Sequence, residues 1–195
     1  MTRKIAFDYE QALDKATALF WAHGYAETGL RDLLKVMGIR EGSFYNTLKS
    51  KKNLYLTCLQ RYEVQVTMPR IEALLQADTA SAGIRAFFSA VLDGLDNPAT
   101  PSRLCMIAAM EAEEVLAEPE FAQYAQQSLS QLKGHFAQRL HADQAQGFIP
   151  SELDTETVAD VLITYLQGLW RMALLSYDRS TYQRRTDVLL KQLGL

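Results

Sequence analysis

Apolar residues recur every three to four positions along almost the whole chain, which is the spacing of one face of an α-helix. The clearest case begins at residue 84, where apolar side chains follow the i, i+3, i+4, i+7 pattern at Ile84, Phe87, Phe88, Val91, Leu92 and Leu95. No segment alternates apolar and polar residues between turn signals, as a half-buried strand would. The pattern therefore predicts an all-α protein of about nine helices.

Residues that begin or end helices divide the first third of the chain into short elements. Gly24 and Gly38 are placed to end the first two helices, because glycine readily adopts the left-handed conformation that follows a helix. Ser50 is placed to cap a longer helix, which Pro69 bends or ends. A first helix is predicted at about 8–23, followed by two short helices at about 29–37 and 41–48.

The predicted helices are longer in the rest of the chain, where Asn97-Pro98 and Pro119 interrupt the pattern. Asp154 is placed to cap one of these helices, which carries Val158, Leu162, Tyr165, Leu166, Leu169 and Trp170. These side chains are numerous enough that we expect part of this face to pack against a second chain. Other helices are predicted from Leu104 to Val115, from Phe121 to Ala145 and at about 180–193.

The charge is distributed unevenly between the two ends of the chain. Residues 1–61 hold ten Lys and Arg against six Asp and Glu, a net charge of +4, whereas residues 62–195 hold ten against seventeen, a net charge of −7. A basic end can approach a polyanion while an acidic remainder is repelled from it. Together with the helix lengths, this predicts an N-terminal domain at residues 1–60 and a larger helical bundle at residues 61–195.

The composition excludes several classes of protein. The chain has 195 residues, of which 48% are hydrophobic and 22% charged, the balance of a folded globular protein rather than a disordered one. No uninterrupted apolar run approaches the roughly 20 residues of a membrane helix, and the N-terminus resembles no signal peptide. We therefore expect a cytoplasmic protein that does not associate with a membrane.

The residues that usually carry metal or catalytic chemistry are few and scattered. Two cysteines, Cys58 and Cys105, are too few for a disulfide framework or a cysteine zinc site. The three histidines, His23, His135 and His141, share no metal-ligand spacing, and no nucleophile motif accompanies either cysteine. We expect no metal, no cofactor and no enzymatic activity.

Two short helices joined by a turn at Gly38, within the basic third of the chain, have the form of a helix-turn-helix. Phe44 and Leu48 lie four residues apart and would hold the second helix against the core. The remaining positions of that helix are then open to base edges or phosphates, with Gly42 permitting a close approach of the backbone. These open positions are Glu41, Ser43, Asn46 and Thr47.

A series of motifs around this element resembles the TetR family of transcriptional regulators. The matching residues are Gly24-Tyr25, Thr28, Gly38-Ile39, Gly42-Ser43-Phe44-Tyr45, Leu48, Ser50-Lys51 and Leu54-Tyr55. The resemblance is specific over about residues 10–60 and architectural over the rest. The chain departs from the usual family residues at Leu34, Met37, Arg40, Glu41, Thr47 and Leu48.

The resemblance implies roles for individual residues in binding double-stranded operator DNA. It implies phosphate contacts for Thr28, Tyr45, Thr47 and Lys51, and base contacts for Arg40, Glu41, Ser43 and Asn46, with Gly42 between them. A carboxylate at Glu41 repels phosphate and favours a cytosine amino group, so the base preference need not follow that of other members. Lys51 stands just after the Ser50 cap, where its ammonium and the helix dipole both favour a phosphate.

The resemblance also implies that the C-terminal region is a ligand-binding and dimerising bundle, and hence a homodimer. Aromatic and methionine side chains after residue 84 are candidates to line an apolar cavity for a small-molecule effector. A stripe of this kind is more often plain core. Cys105 is either a packing residue or, as in some family members, a thiol that senses electrophiles. The ligand-binding candidates are Phe87, Phe88, Met106, Met110, Glu114, Tyr124, Phe136 and Trp170.

These observations favour a sequence-specific DNA-binding regulator, a repressor that an apolar effector releases from DNA. Two other classes remain open at this stage: an all-α enzyme whose site has no recognisable motif, and a helical adaptor that binds only protein. Salt-dependent binding to duplex DNA distinguishes the first class from the other two.

Overall fold

The chain folds entirely into helices over the part that the structure describes. This computed structural model describes residues 8–195, apart from the side chains of Glu113 and Glu114. Within that range there are eleven α-helices and no strand. They are α1 (Tyr9–Glu27), α2 (Leu30–Met37), α3 (Glu41–Leu48), α4 (Lys51–Tyr62), α5 (Met68–Gln76), α6 (Ala80–Asp96), α7 (Met106–Ala109), α8 (Glu113–Leu116), α9 (Pro119–Ala145), α10 (Thr155–Leu175) and α11 (Arg179–Gln192).

The number of substantial helices agrees with the sequence prediction. Two of the eleven, α7 and α8, have only four residues each, which leaves nine that are longer than a single turn. Side-chain caps begin several of them, and the predicted caps at Ser50 and Asp154 are confirmed. The Ser50 hydroxyl accepts a hydrogen bond from the Asn53 amide, and the Asp154 carboxylate accepts one from the Thr157 amide.

The helix that begins at Ser50 does not end at Pro69. A π-helical segment, Glu63–Thr67, joins α4 to α5, and Pro69 lies in the first turn of α5. A proline inside a regular helix clashes with the carbonyl four residues earlier, and it lacks the amide that this carbonyl would accept from. The wider π turn immediately before Pro69 accommodates this change without interrupting the helical path.

The predicted helix from Leu104 to Val115 is wrong, because this stretch forms only the two single turns α7 and α8. Side chains from elsewhere donate hydrogen bonds to carbonyls of the segment. The Trp21 indole N–H donates to the Leu104 carbonyl at 2.8 Å, and the Arg171 guanidinium donates to the Ala108 carbonyl at 2.9 Å. Tertiary contacts thus replace hydrogen bonds that a continuous helix would make internally.

The C-terminal helices pack around a core of aromatic side chains. The Phe87 and Phe136 rings, from α6 and α9, meet edge to face with centroids 5.0 Å apart, and Phe88 packs edge to face on Tyr165 of α10 at 5.4 Å. Trp21 of α1 makes a similar contact with Tyr62 of α4 at 4.9 Å. Such pairs add to the free energy gained from burying the rings.

Helix α10 is a core helix of this bundle. In the described part of the chain it is the one helix long and apolar enough to cross a membrane by length and composition, a test that core helices also pass. Most of the apolar residues that suggested a contact with a second chain pack inside the single chain. Five of them are buried within the single chain, namely Val158, Leu162, Leu166, Leu169 and Trp170.

Candidate nucleic-acid interface and internal cavity

Helices α2 and α3 form the predicted helix-turn-helix, and Gly38 makes the turn between them. Gly38 has φ 68° and ψ 31°, the left-handed conformation that ends a helix. Its amide donates to the Lys35 carbonyl and the following Ile39 amide to the Leu34 carbonyl, so the last carbonyls of α2 are satisfied. Helix α3 then begins after Arg40, which is extended.

Two side chains fix α3 to the rest of the protein and leave its other faces open. Phe44 is 0% and Leu48 2% exposed, which confirms that these residues hold the helix against the core. The predicted DNA-contacting residues of α3 divide into two groups. Arg40, Glu41, Gly42, Tyr45 and Asn46 are exposed, and Ser43 and Thr47 are half-buried.

Lys51, in the first turn of α4, is held in place by an aromatic ring. Its ammonium lies 4.3 Å from the centre of the Tyr25 ring, a cation–π contact. Partial burial lowers the pKa of Lys51, and the negative charge of Glu27 opposes that effect. Tyr25 is half-buried and packs at 4.8 Å against the buried ring of Phe121 of α9, so the cation is held by a ring that packs on the core.

The backbone at Gly24 places Tyr25 in this position. Gly24 interrupts the regular geometry of α1 with φ 76° and ψ 177°, a combination that side chains other than hydrogen rarely allow. The predicted end of the first helix at Gly24 is therefore a kink, after which the helical segment continues to Glu27. The function of the Gly24-Tyr25 pair as a support for Lys51 was not predicted from the sequence.

A second feature of the chain is a partly open cavity of about 110 Å³ among the C-terminal helices. Apolar side chains from α5, α6, α9 and α10 supply much of its wall. Several polar side chains also reach it, which is unusual for plain core. The lining residues are Glu63, Thr67, Met68, Arg70, Ile71, Phe87, Cys105, Ile107, Ser128, Leu129, Gln131, Leu132, His135, Gln167 and Trp170.

Comparison with known protein families matches both parts of the chain. The family model of bacterial regulatory proteins of the tetR family matches residues 12–58, and a model of tetracyclin repressor-like C-terminal domains matches residues 80–189. The chain belongs to the TetR family. It is thus a DNA-binding transcriptional regulator, as the sequence motifs indicate.

Individual relatives resemble the chain over most of its length. The uncharacterised HTH-type transcriptional regulator YezE of Bacillus subtilis is 28% identical over 99% of this chain and 100% of its own length. The HTH-type transcriptional repressor ComR of Escherichia coli is 30% identical over 86% of this chain and 80% of its own. A solved structure of the TetR-family regulator CifR, in complex with operator DNA, is 24% identical, with a TM-score of 0.90 over 97% of this chain and 98% of that chain. The last comparison shows a shared fold.

Two polar residues near the helix-turn-helix, Thr28 and Lys52, are engaged by contacts within the protein. Thr28 is only 2% exposed, and its hydroxyl donates a hydrogen bond to the Gly24 carbonyl at 2.6 Å. Lys52, which follows Lys51, lies 3.2 Å from Glu120 and 3.6 Å from Glu118, both at the start of α9. Local hydrogen bonding thus engages Thr28, and ion pairs with α9 engage Lys52.

The cavity includes only two of the residues predicted to bind an effector, Phe87 and Trp170. The others have different surroundings. Tyr124 donates a hydrogen bond to the Glu63 carboxylate at 2.6 Å, and its pKa is raised first by burial and then by that bond. The side chain of Glu114 lies outside the described residues. The remaining four are packed in the core at 0–1% exposure: Phe88, Met106, Met110 and Phe136.

The polar part of the cavity wall was not predicted from the sequence. Glu63 is satisfied there, because one of its carboxylate oxygens accepts from Tyr124 and the other accepts from Ser128, each at 2.6 Å. Arg70 is 8% exposed, and the side-chain oxygen of Gln167 is buried without a hydrogen-bond partner. Among residues 8–195, excepting the two undescribed side chains, no cluster of His, Cys, Asp and Glu could hold a metal ion.

Proposed function

We propose that this TetR-family protein is a cytoplasmic, ligand-released repressor that binds a pseudo-palindromic DNA operator as a homodimer. Residues 1–60 bind DNA, and residues 61–195 bind the effector and dimerise. The observation that carries this proposal is the exposed polar face of α3, with Lys51 fixed beside it in a segment of net charge +4. The name of ComR as a repressor and the CifR complex with operator DNA support it.

The proposed DNA-contacting residues divide by function into those that contact bases and those that contact phosphates. Arg40, Glu41, Ser43 and Asn46 read base edges in the major groove, and Tyr45, Thr47 and Lys51 position the protein on phosphates, with Gly42 admitting the DNA backbone. Thr28 is left out of the phosphate contacts, because its side chain is buried and bonded to the Gly24 carbonyl. The family assignment disfavours the two other classes considered for the sequence, an enzyme and a protein-binding adaptor.

An effector releases the repressor by changing the population of two conformers. If it binds one conformer better than the other, operator affinity falls by the ratio of the two affinities, and a preference of a few kcal/mol is sufficient. In the released conformer the two reading helices no longer match the spacing of the half-sites. The cavity of about 110 Å³ is the proposed effector site, which includes Phe87 and Trp170.

The test of DNA binding starts from fragmented genomic DNA. DNA that the purified protein retains is sequenced, and the enriched site is synthesised as a duplex. The affinity for this duplex is expected to fall roughly linearly with salt on a logarithmic scale, because phosphate contacts release counterions. A shuffled duplex of the same length is the control. Equal binding to both duplexes would contradict sequence-specific recognition.

Lys51→Ala and Asn46→Ala are expected to weaken binding in different ways. Lys51→Ala removes a phosphate contact, so binding weakens about equally for all operator variants, and the salt slope falls by about 1. Asn46→Ala is expected to relax base preference at one position of each half-site, at a cost of about 1–3 kcal/mol. Fluorescence anisotropy with a set of single-base operator variants measures both effects.

The matched control is Lys133→Ala, which removes a lysine of α9 that forms surface ion pairs with Glu156 and Asp160, outside the helix-turn-helix and the proposed dimer face. It should leave both the affinity and the salt slope unchanged. If Lys51→Ala bound the operator as tightly as wild type at low and high salt, the phosphate contact would be wrong.

The dimer is expected to form through apolar side chains that the single chain leaves exposed at the end of α10 and on α11. Leu175 is 80% and Val188 61% exposed, and Met172 and Leu174 are about half exposed. Leu175→Asp together with Val188→Asp is expected to raise the dimer dissociation constant at least about tenfold, since burying each side chain contributes roughly 1.5–3 kcal/mol. Light scattering measures the mass.

Val64→Asp is the control for the dimer variant, because Val64 is also exposed, at 68%, but lies on the π-helical segment. It should leave the dimer intact. A wild-type protein that is monomeric at micromolar concentration would contradict the proposal, as would a double variant with an unchanged dissociation constant.

A further inference from the structure

Arg70 is a buried cation that lacks a carboxylate partner. It lies on α5 and is 8% exposed. Other partly buried arginines face acids: Arg61 is 2.6 Å from Asp14, and Arg139 is 3.8 Å from Asp143. Among the side chains that the structure describes, no carboxylate forms such an ion pair with Arg70. A buried charge without a counterion is costly, which raises the question of what it pairs with.

Two other polar groups close to Arg70 also lack partners. The Tyr62 hydroxyl, which is adjacent to Arg70 and to Cys105, is buried and makes no hydrogen bond of normal geometry. The side-chain oxygen of Gln167, on α10, is also buried and also has no hydrogen-bond partner. Buried polar side-chain atoms are usually satisfied, so the Tyr62 and Gln167 oxygens point to a missing ligand or to bound water.

These groups line two neighbouring spaces. Arg70 and Gln167 line the cavity of about 110 Å³, and Arg70 and Tyr62 line a smaller one of about 10 Å³. Cys105 and Trp170 lie in the walls of both. Arg70 therefore lies between the two spaces, and its guanidinium stands beside Gly94, which lines the smaller one and a more open space of about 340 Å³.

The backbone of α6 leaves room for the guanidinium at this point. A Cβ atom added to Gly94 would lie 2.8 Å from Arg70 Nη2, closer than real contacts of that kind. Any side chain at residue 94 would thus push the guanidinium away. Glu63 is the other charged residue in the cavity wall. Both of its carboxylate oxygens already accept hydrogen bonds from hydroxyl groups.

We propose that Arg70 binds the carboxylate of a small apolar acid, which is the effector in the function proposed above. The guanidinium takes the two carboxylate oxygens, and the apolar body lies against Phe87, Leu132 and Trp170. The cavity of about 110 Å³ is of the order of the ~150 Å³ apolar cavity that admits benzene. A monoanion fits better than a doubly charged phosphate. Arg70 can offset one negative charge, whereas the neighbouring Glu63 carboxylate repels a second.

The test compares acids with neutral molecules of the same shape. Benzoate, phenylacetate and isovalerate are titrated into the full-length protein without DNA, beside benzamide, phenylacetamide and isovaleramide. Calorimetry and tryptophan fluorescence report binding, since Trp170 lines the cavity. We expect at least one acid to bind at millimolar concentration or better, about tenfold or more tightly than its amide.

Variants assign that binding to Arg70. Arg70→Met should abolish the preference for the acid, and Arg70→Lys should keep part of it as a point charge without the bidentate geometry. Arg184→Met, at an exposed position on α11, is the control and should bind like wild type. If Arg70→Met does not fold, Gly94→Ala provides the second test, because it displaces the guanidinium and should weaken acid binding.

The outcomes distinguish this proposal from the proposed function. Acid binding that depends on Arg70 but does not release the operator supports the anion site and contradicts ligand-released repression by that acid. Three results would overturn the anion site: amides that bind as tightly as acids, unchanged acid affinity in folded Arg70→Met, or no binding of any of the three acids. Release of the operator by neutral compounds and by none of the acids would overturn the acid as the effector, while leaving the proposed function intact.

Discussion

Phe44→Ala is expected to destabilise the protein by about 3–5 kcal/mol and to abolish operator binding. Phe44 is 0% exposed and is one of two side chains that fix α3 to the core, the other being Leu48 at 2%. Replacing a fully buried ring by a methyl group loses its transfer free energy and leaves a cavity that the surroundings fill only in part.

The loss falls on the element that contacts DNA. Helix α3 has eight residues, fewer than the roughly 12–15 that an isolated helix needs for even marginal stability in water. Its conformation therefore depends on the packing of Phe44 and Leu48. Without Phe44, the exposed side chains beside it, such as Tyr45 and Asn46, lose the fixed positions that base readout requires.

Urea unfolding followed by circular dichroism measures the stability, and fluorescence anisotropy measures operator binding. Phe148→Ala is the matched control, because Phe148 is 59% exposed and its loss should change stability by less than about 0.5 kcal/mol. A Phe44→Ala variant within about 1 kcal/mol of wild type that still bound the operator would contradict the role of this ring.

The sequence predicts the helix-turn-helix well because its determinants are local. Gly38 ends α2 through its own left-handed backbone, and Ser50 caps α4 through an amide three residues later. The four-residue spacing of Phe44 and Leu48 places both on one face of a helix, whatever surrounds it. Each of these signals acts within about one helical turn, so it can be read without knowing the tertiary structure.

Predictions that depend on distant residues were less successful. The stretch from Leu104 to Val115 has a helical pattern. The Leu104 carbonyl, however, accepts a hydrogen bond from Trp21, which lies 83 residues earlier in the chain. The charge of Lys51 and its place after a helix cap indicate a phosphate contact. Its cation–π contact with Tyr25, however, depends on the backbone kink at Gly24. No periodicity in the sequence brings such partners together.

The cavity illustrates the same limit. A stripe of aromatic and methionine residues marks buried positions, but it does not separate side chains that fill the core from those that face a void. Phe87 and Phe88 are adjacent in sequence and equally buried at 1%, yet only Phe87 lines the cavity. No sequence pattern marks Arg70, because a charged residue in a helix usually faces solvent.

Asp143→Ala is expected to destabilise the protein by about 3 kcal/mol, through loss of a buried carboxylate that joins two helices. Asp143 lies on α9 and is 2% exposed. One of its oxygens accepts a hydrogen bond from the Ala80 amide at 2.6 Å, at the first residue of α6. The other lies 3.8 Å from the Arg139 guanidinium, which also donates to the Ala77 carbonyl at 2.6 Å.

The substitution leaves both partners without their anion. The Ala80 amide is one of the unpaired donors at a helix N-terminus, and Arg139 keeps its charge in a largely enclosed position. Asp143→Asn should cost less, because an amide oxygen of similar shape still accepts from Ala80 while the negative charge is lost. Asp160→Ala is the control, since Asp160 pairs with Lys133 at the surface, where such pairs contribute about 0–1 kcal/mol. If thermal and urea unfolding gave Asp143→Ala the same stability as Asp160→Ala, the carboxylate would not join α6 to α9 in the way that its hydrogen bonds indicate.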